Sequence, residues 1–208
     1  GSSSDEDMIF ANLGNTKKEI DKVEKLLSAN KVTNILKLSD VKASTEAFLS
    51  LNDSKVNILH LATHGAYIEE AKSKDENDAM RRRLLAFAGA NLGDGSGIVT
   101  AADIAKMNLR HCNLAVLSAC ETALGQMGFD GVFGLQRGFK NAGVHTLLMS
   151  LRKVNDKATM EMMVQFYQSL MAGQTPNQAL RSAQKYLRNN GYDKPEYWAS
   201  FIVLDGQK

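Results

Sequence analysis

VNILHLATHG at residues 56–65 and LAVLSACETALG at residues 114–125 decide the fold. Each opens with an apolar run of strand length, Val56–Leu61 and Leu114–Ser118, and then breaks into a polar stretch containing glycine. Strands that are apolar throughout are covered on both faces, which marks a mostly parallel sheet lying between helices. His64 and Cys120 each stand just past the carboxyl end of their run. In open α/β sheets the chemistry gathers at that edge.

Working outward, HTLLMS at 145–150 reads as a third buried strand and WASFIVL at 198–204 as the last. Val32–Leu38 is a further strand candidate. Helical signals alternate with these runs. Thr16 and Glu19 have capping-box spacing ahead of Ile20, Val23, Leu26 and Leu27, which share one helical face. Ser44–Leu51 reads as a short helix, and Thr100 with Asp103 caps another that runs through Met107. Val132–Ala142 forms a helix that Gly143 closes. Asn155 or Asp156 starts a helix bearing Met160, Met163, Val164, Tyr167 and Leu170. Thr175, Pro176 and Gln178 start the next, which runs to about Asn189. The methionines, Met171 included, are most simply core.

The chain has 208 residues, 44% hydrophobic and 23% charged, as expected for one globular domain. A net charge of +2 gives no footprint for nucleic acid or a membrane surface. No apolar run reaches membrane-spanning length and no signal pattern opens the chain. Residues 1–4 read as an expression scar, leaving 5–208 as a single domain. Residues 69–83, EEAKSKDENDAMRRR, have too little apolar character to bury a face and are expected to form a long mobile loop. Gly89–Gly97 and Gly125–Gly131 read as turn-rich connections.

Two cysteines make no disulfide framework, and the four histidines have no zinc spacing, so neither a metal nor another cofactor is expected. A reducing, cytoplasmic setting follows by default. No P-loop or dinucleotide fingerprint follows a strand. Cys120 follows His64 by 56 residues (120 − 64 = 56), which lets neighbouring strands bring the two together. A free thiol is mostly protonated at neutral pH, with a pKa of about 8.5, and needs a base. An imidazole can take its proton and return it to a leaving amine. Gly65 lets a backbone N–H come close to a substrate, and with the Cys120 amide it could form an oxyanion hole. Against this stand plainer readings: a cysteine at a strand end is commonly a small buried hydrophobe, and a lone histidine a satisfied polar group. His60, inside the apolar run, reads as a hydrogen-bonded core histidine. His111, Cys112 and His145 carry no catalytic signal.

ILHLATHG, LLAFAGANL, GIVTAADIAKMNL, LAVLSACETALG, GVFGLQRGFKNAGVHTLLMSL and YWASFIVLDG, in this order, resemble the CHAT family, most closely its bacterial branch. These are caspase-like domains often attached to tetratricopeptide repeats and related to separases, gingipains and legumains. The resemblance covers nearly the whole chain from about Thr16. The spacing of His64 and Cys120 is also similar to that of caspases.

The resemblance implies a caspase-like three-layer α/β/α sandwich with a mostly parallel central sheet, and a metal-free cysteine endopeptidase acting on a narrow set of protein substrates. His64 matches the family's catalytic histidine, Cys120 its nucleophile and Gly65 the oxyanion glycine. Arg152 departs from a tryptophan found in many relatives, in a stretch that lines the substrate pocket. Asp156 is similar to an acid that receives a basic substrate residue in separases, although it is also placed to cap its own helix. Ser118 supplies no acidic determinant. The expected partners are a protein or peptide substrate and an attached repeat region or activating protein. The rival expectation is a catalytically silent regulatory or scaffolding domain that binds a protein in the same cleft.

Overall fold

The computed structural model describes residues 9–10, 14–67, 80, 83–118, 130–151 and 154–205. Among these, the helices are α1 (Thr16–Ala29), α2 (Thr45–Leu49), α3 (Ala101–Ile104), α4 (Asp130–Asn141), α5 (Asp156–Met171) and α6 (Pro176–Asn189). The strands are β1 (Ile58–Leu61), β2 (Gly65–Tyr67), β3 (Arg83–Ala86), β4 (Ile98–Thr100), β5 (Leu114–Leu117), β6 (Thr146–Ser150) and β7 (Phe201–Asp205).

The main sheet has the order β1-β5-β6-β7. Its first three strands run parallel, and β7 returns antiparallel to β6. Side chains alternate across it. Leu114, Val116 and Leu148 point to the layer of α1, α5 and α6, where they join Val23, Phe166 and Leu180. Ala115, Leu117 and Met149 point to the layer of α2, α3 and α4, where they join Phe48, Ile104 and Phe139. The result is the expected α/β/α sandwich.

Local chemistry sets most element ends. Thr100 and Asp103 form a reciprocal capping box on α3, and Thr175 and Gln178 form one on α6 with Pro176 in the first turn. The Asn155 side chain accepts from Ala158 N at 3.0 Å, so Asn155 rather than Asp156 caps α5. Gly143 follows α4 with φ +94°, and a Cβ there would lie 2.6 Å from Arg110 Cγ, so glycine is required twice over.

Several expectations are corrected. Thr16 lies inside α1, whose cap position is Asn15. Val32–Leu38 forms no strand; Lys31 ahead of it has φ +64°, and Leu36 is 75% exposed. The helix after Thr100 stops at Ile104, and Trp198–Ser200 turns before β7 begins. Most of the expected 69–83 loop lies outside the described residues. Within it, Met80 packs against the core and Arg83 starts β3, buried.

A second sheet, of order β2-β3-β4 and antiparallel, was not anticipated. It contributes Leu85 and Val99 to the same core layer as α3 and α4. Its base is fastened to the end of β1: Thr63 Oγ1 donates to Ala86 O, and Ala86 N donates to His64 O at 2.9 Å.

Candidate active site

The register between β1 and β5 brings the ends of the two strands that precede the candidate catalytic positions level with each other. Leu61 pairs with Leu117, and Ser118 N continues the ladder by donating to Leu61 O at 3.1 Å. In sequence His64 is three residues past Leu61 and Cys120 three past Leu117, and the adjacent parallel strands end at one level of the sheet edge. Cys120 itself lies outside the described residues, as does Arg152.

His64 is 8% exposed. Its ring is tilted 43° against that of Phe10, with centroids 5.6 Å apart. The carbonyl of His64 is held by Ala86 N, which makes 64 and 86 a hydrogen-bonded antiparallel pair. Gly65 and Leu85 form the next pair in register. Hydrogen bonding alternates along such a ladder, so the Gly65 N–H is directed away from β3.

Ser118 is fully buried, and its hydroxyl has no hydrogen-bond partner among the described residues. Asp156 opens α5 after β6, also at the carboxyl edge, but its Oδ2 accepts from Asn15 N at 3.0 Å and Asn15 Nδ2 at 2.9 Å. Its observed role is therefore to anchor the start of α1 to the start of α5.

The other candidates separate cleanly. His60 bonds Tyr167 Oη through Nδ1 at 3.0 Å and Glu19 Oε1 through Nε2 at 2.8 Å. Burial, and then the charge of Glu19, push the Tyr167 phenol far above its ordinary pKa, so it stays a donor. His60 thus bridges this phenol and the buried Glu19 carboxylate, giving each a hydrogen-bond partner. Cys112 is fully buried, and burial pushes its thiol from 9.0 to about 11, against weaker lowering by the Leu114 and Leu59 backbones. It is a structural, unreactive thiol. His145 is exposed, stands just before β6 at the amino end of the strand, opposite the carboxyl edge, and bonds Arg110 O at 3.1 Å.

Phe10 and Asn91 were not anticipated. The Asn91 side chain bonds both main-chain groups of Phe10. An asparagine in a glycine-rich turn carries no local signal beyond the turn itself.

A mostly parallel sheet between helix layers, with His64 just past the carboxyl end of β1, is that of a caspase-like α/β domain. The chain belongs to the CHAT-domain family, whose model matches residues 1–207. It is 32% identical over 108 residues to tetratricopeptide repeat protein 28 of Mus musculus and, over the same length, to that of Homo sapiens. Each match covers 51% of this chain but 4% of the relative. Both relatives are named for tetratricopeptide repeats, in keeping with the association that the resemblance implies. Among the described residues no helix is long and apolar enough to cross a membrane.

Proposed function

We propose that this domain is a cysteine endopeptidase in which Cys120 is the nucleophile and His64 its base. The carrying observation is the Leu61–Leu117 register, with each catalytic candidate three residues beyond it. The thiol gives its proton to His64, and the thiolate attacks the substrate carbonyl. The oxyanion is held by the amides of Gly65 and Cys120, at about 3 kcal/mol per donor. When the C–N bond breaks, His64 returns the proton to the departing amine. The thioester left on Cys120 is then hydrolysed by water, which His64 deprotonates.

The substrates are a narrow set of proteins, and an attached repeat region or activating partner controls access. A reducing, cytoplasmic setting keeps the thiol available, and the resemblance of the motifs supports an origin in the family's bacterial branch. Preference for a basic residue before the cleaved bond would rest on Asp156, with Arg152 and Ser118 lining the pocket. Asp156 can serve there only through the oxygen that Asn15 leaves unengaged.

The alternative, a silent scaffolding domain, draws support from the Phe10 ring against His64, since a cleft that holds one hydrophobic residue can hold a partner's. Comparing substrate-library profiles of the wild-type chain and Cys120→Ala separates the two. The peptidase reading expects cleavage that vanishes in the variant while its thermal unfolding is unchanged. Cleavage retained in the variant would reject the nucleophile assignment, and no cleavage by either chain would favour the scaffold.

A further inference from the structure

We propose that Asn91 is a main-chain clamp of the substrate cleft, and that beside His64 the cleft takes an extended peptide through one aromatic side chain. The proposal rests on the reading of the His64 edge as a peptide-binding cleft, and it names the residue that would hold the peptide and the side chain that would be read.

The motivating geometry is a ligand-like contact already made within the chain. Phe10 N donates to Asn91 Oδ1 at 2.8 Å, and Asn91 Nδ2 donates to Phe10 O at 3.0 Å. A carboxamide that satisfies both main-chain groups of one residue imitates the pairing that a neighbouring strand would supply. Such pairing grips any extended peptide, whatever its sequence. The same residue lays its ring against His64, with centroids 5.6 Å apart. Ile9, the residue before it, is 77% exposed, so of these two described residues it is Phe10 whose side chain is held. One residue of the chain thus occupies both a main-chain clamp and an aromatic seat at the catalytic histidine, 81 residues away from its clamp in sequence.

The clamp is built in advance. Asn91 sits in a short turn flanked by Gly89 at φ +95° and Gly93 at φ +72°. Leu92 N bonds Gly89 O at 2.9 Å, Ala90 N bonds Phe87 O at 3.1 Å, and Phe87 N bonds Gly97 O at 2.6 Å. A Cβ on Gly97 would lie 2.2 Å from Ala90 N, so the loop closes on itself with no room for a side chain. The loop grows directly from Ala86, whose N–H holds the His64 carbonyl. Clamp and histidine therefore keep a fixed relation, as preorganised recognition requires.

The test uses the full chain carrying Cys120→Ala, so binding is read without chemistry. The probe is a fluorescein-labelled peptide, DEDMIFANL, which copies residues 5–13. In fluorescence anisotropy, adding Phe10→Ala should raise affinity for this peptide about tenfold or more, because the chain's own residue vacates the cleft. Adding Asn91→Leu to that chain should weaken binding about tenfold, the scale expected when two main-chain hydrogen bonds are lost. Replacing the peptide's phenylalanine by alanine should abolish binding. Circular dichroism verifies that Asn91→Leu folds, and Asn91→Gln provides a second variant with the same amide. Equal binding with and without Phe10, no binding to any variant, or binding indifferent to Asn91 would each overturn the proposal. Expected binding without cleavage by the Cys120-containing chain would reject the peptidase reading alone. Cys120-dependent cleavage with KM unmoved by Asn91→Leu would reject the clamp alone.

Discussion

His60 and His64 are four residues apart, yet one lies within a strand and the other stands beyond its end. His60 is enclosed on the α1 and α5 side of the sheet, with both ring nitrogens committed to Tyr167 and Glu19. His64 lies past the last ladder position of β1, where its backbone is fixed by Ala86 and its ring meets a side chain from a distant segment. The same residue type is an interior fastener in one place and a candidate base in the other. The difference is set by position along the strand, since the sheet edge is where a side chain can meet a ligand without breaking the core.

Substitution at the two positions should part activity from stability. The largest effect is expected for His64→Ala, which should lower kcat/KM on a cleaved peptide about 10³-fold, the scale of lost general acid–base catalysis. Its thermal midpoint should shift less than that of His60→Ala. Conversely, His60→Ala should destabilise the fold by about 3 kcal/mol in urea unfolding, because it strands the buried Glu19 carboxylate. A double variant, His60→Leu with Glu19→Leu, should recover most of that loss by removing both polar groups. Equal kinetic damage from His60→Ala in chains that remain folded would break the contrast.

The two thiols sharpen it further. Under native conditions iodoacetamide should modify Cys120 and leave Cys112 untouched, as peptide mapping can check, because burial keeps Cys112 protonated. The pH dependence follows. With the folded Cys112 pKa raised to about 11 from 9.0, the native state holds more protons than the unfolded chain between those values. The stabilisation is fully present below pH 9.0 and is lost as pH rises towards about 11. Denaturant midpoints should fall across that window, and Cys112→Ala should flatten the fall. The smallest effect is expected for Asp156→Asn: about 1 kcal/mol of lost anchoring between α1 and α5. If the pocket proposal holds, KM for substrates with arginine before the cleaved bond should also rise.

The parts of the fold legible in sequence were those decided locally. Leu114–Leu117 is apolar at every position, and Thr175, Pro176 and Gln178 satisfy a helix start among themselves. The Thr16–Glu19 pair failed for a tertiary reason: Glu19 turns inward to His60, so it is not available to cap its own helix. β2, β3 and β4 escaped notice because strands of three or four residues show no period, and their pairing joins residues far apart in the chain. Val32–Leu38 had the apolar content of a strand but finds no core to enter, with Val32 and Leu36 both exposed. At the site, the strand-end placement of His64 was readable from where its apolar run stops. The Leu61–Leu117 alignment was not, since register depends on how two distant runs meet. Asp156 was read as a cap or a pocket acid, yet it serves a third element, α1, through Asn15.

The central claim, that Cys120 is ionised by His64, is tested most directly by trapping. The full chain should be incubated with a thiol-directed peptidyl acyloxymethyl ketone and the modified residue located by tandem mass spectrometry. The account predicts one adduct, on Cys120, formed at least about a hundredfold more slowly in His64→Ala. An adduct on Cys112, or labelling of Cys120 at the same rate without His64, would contradict it.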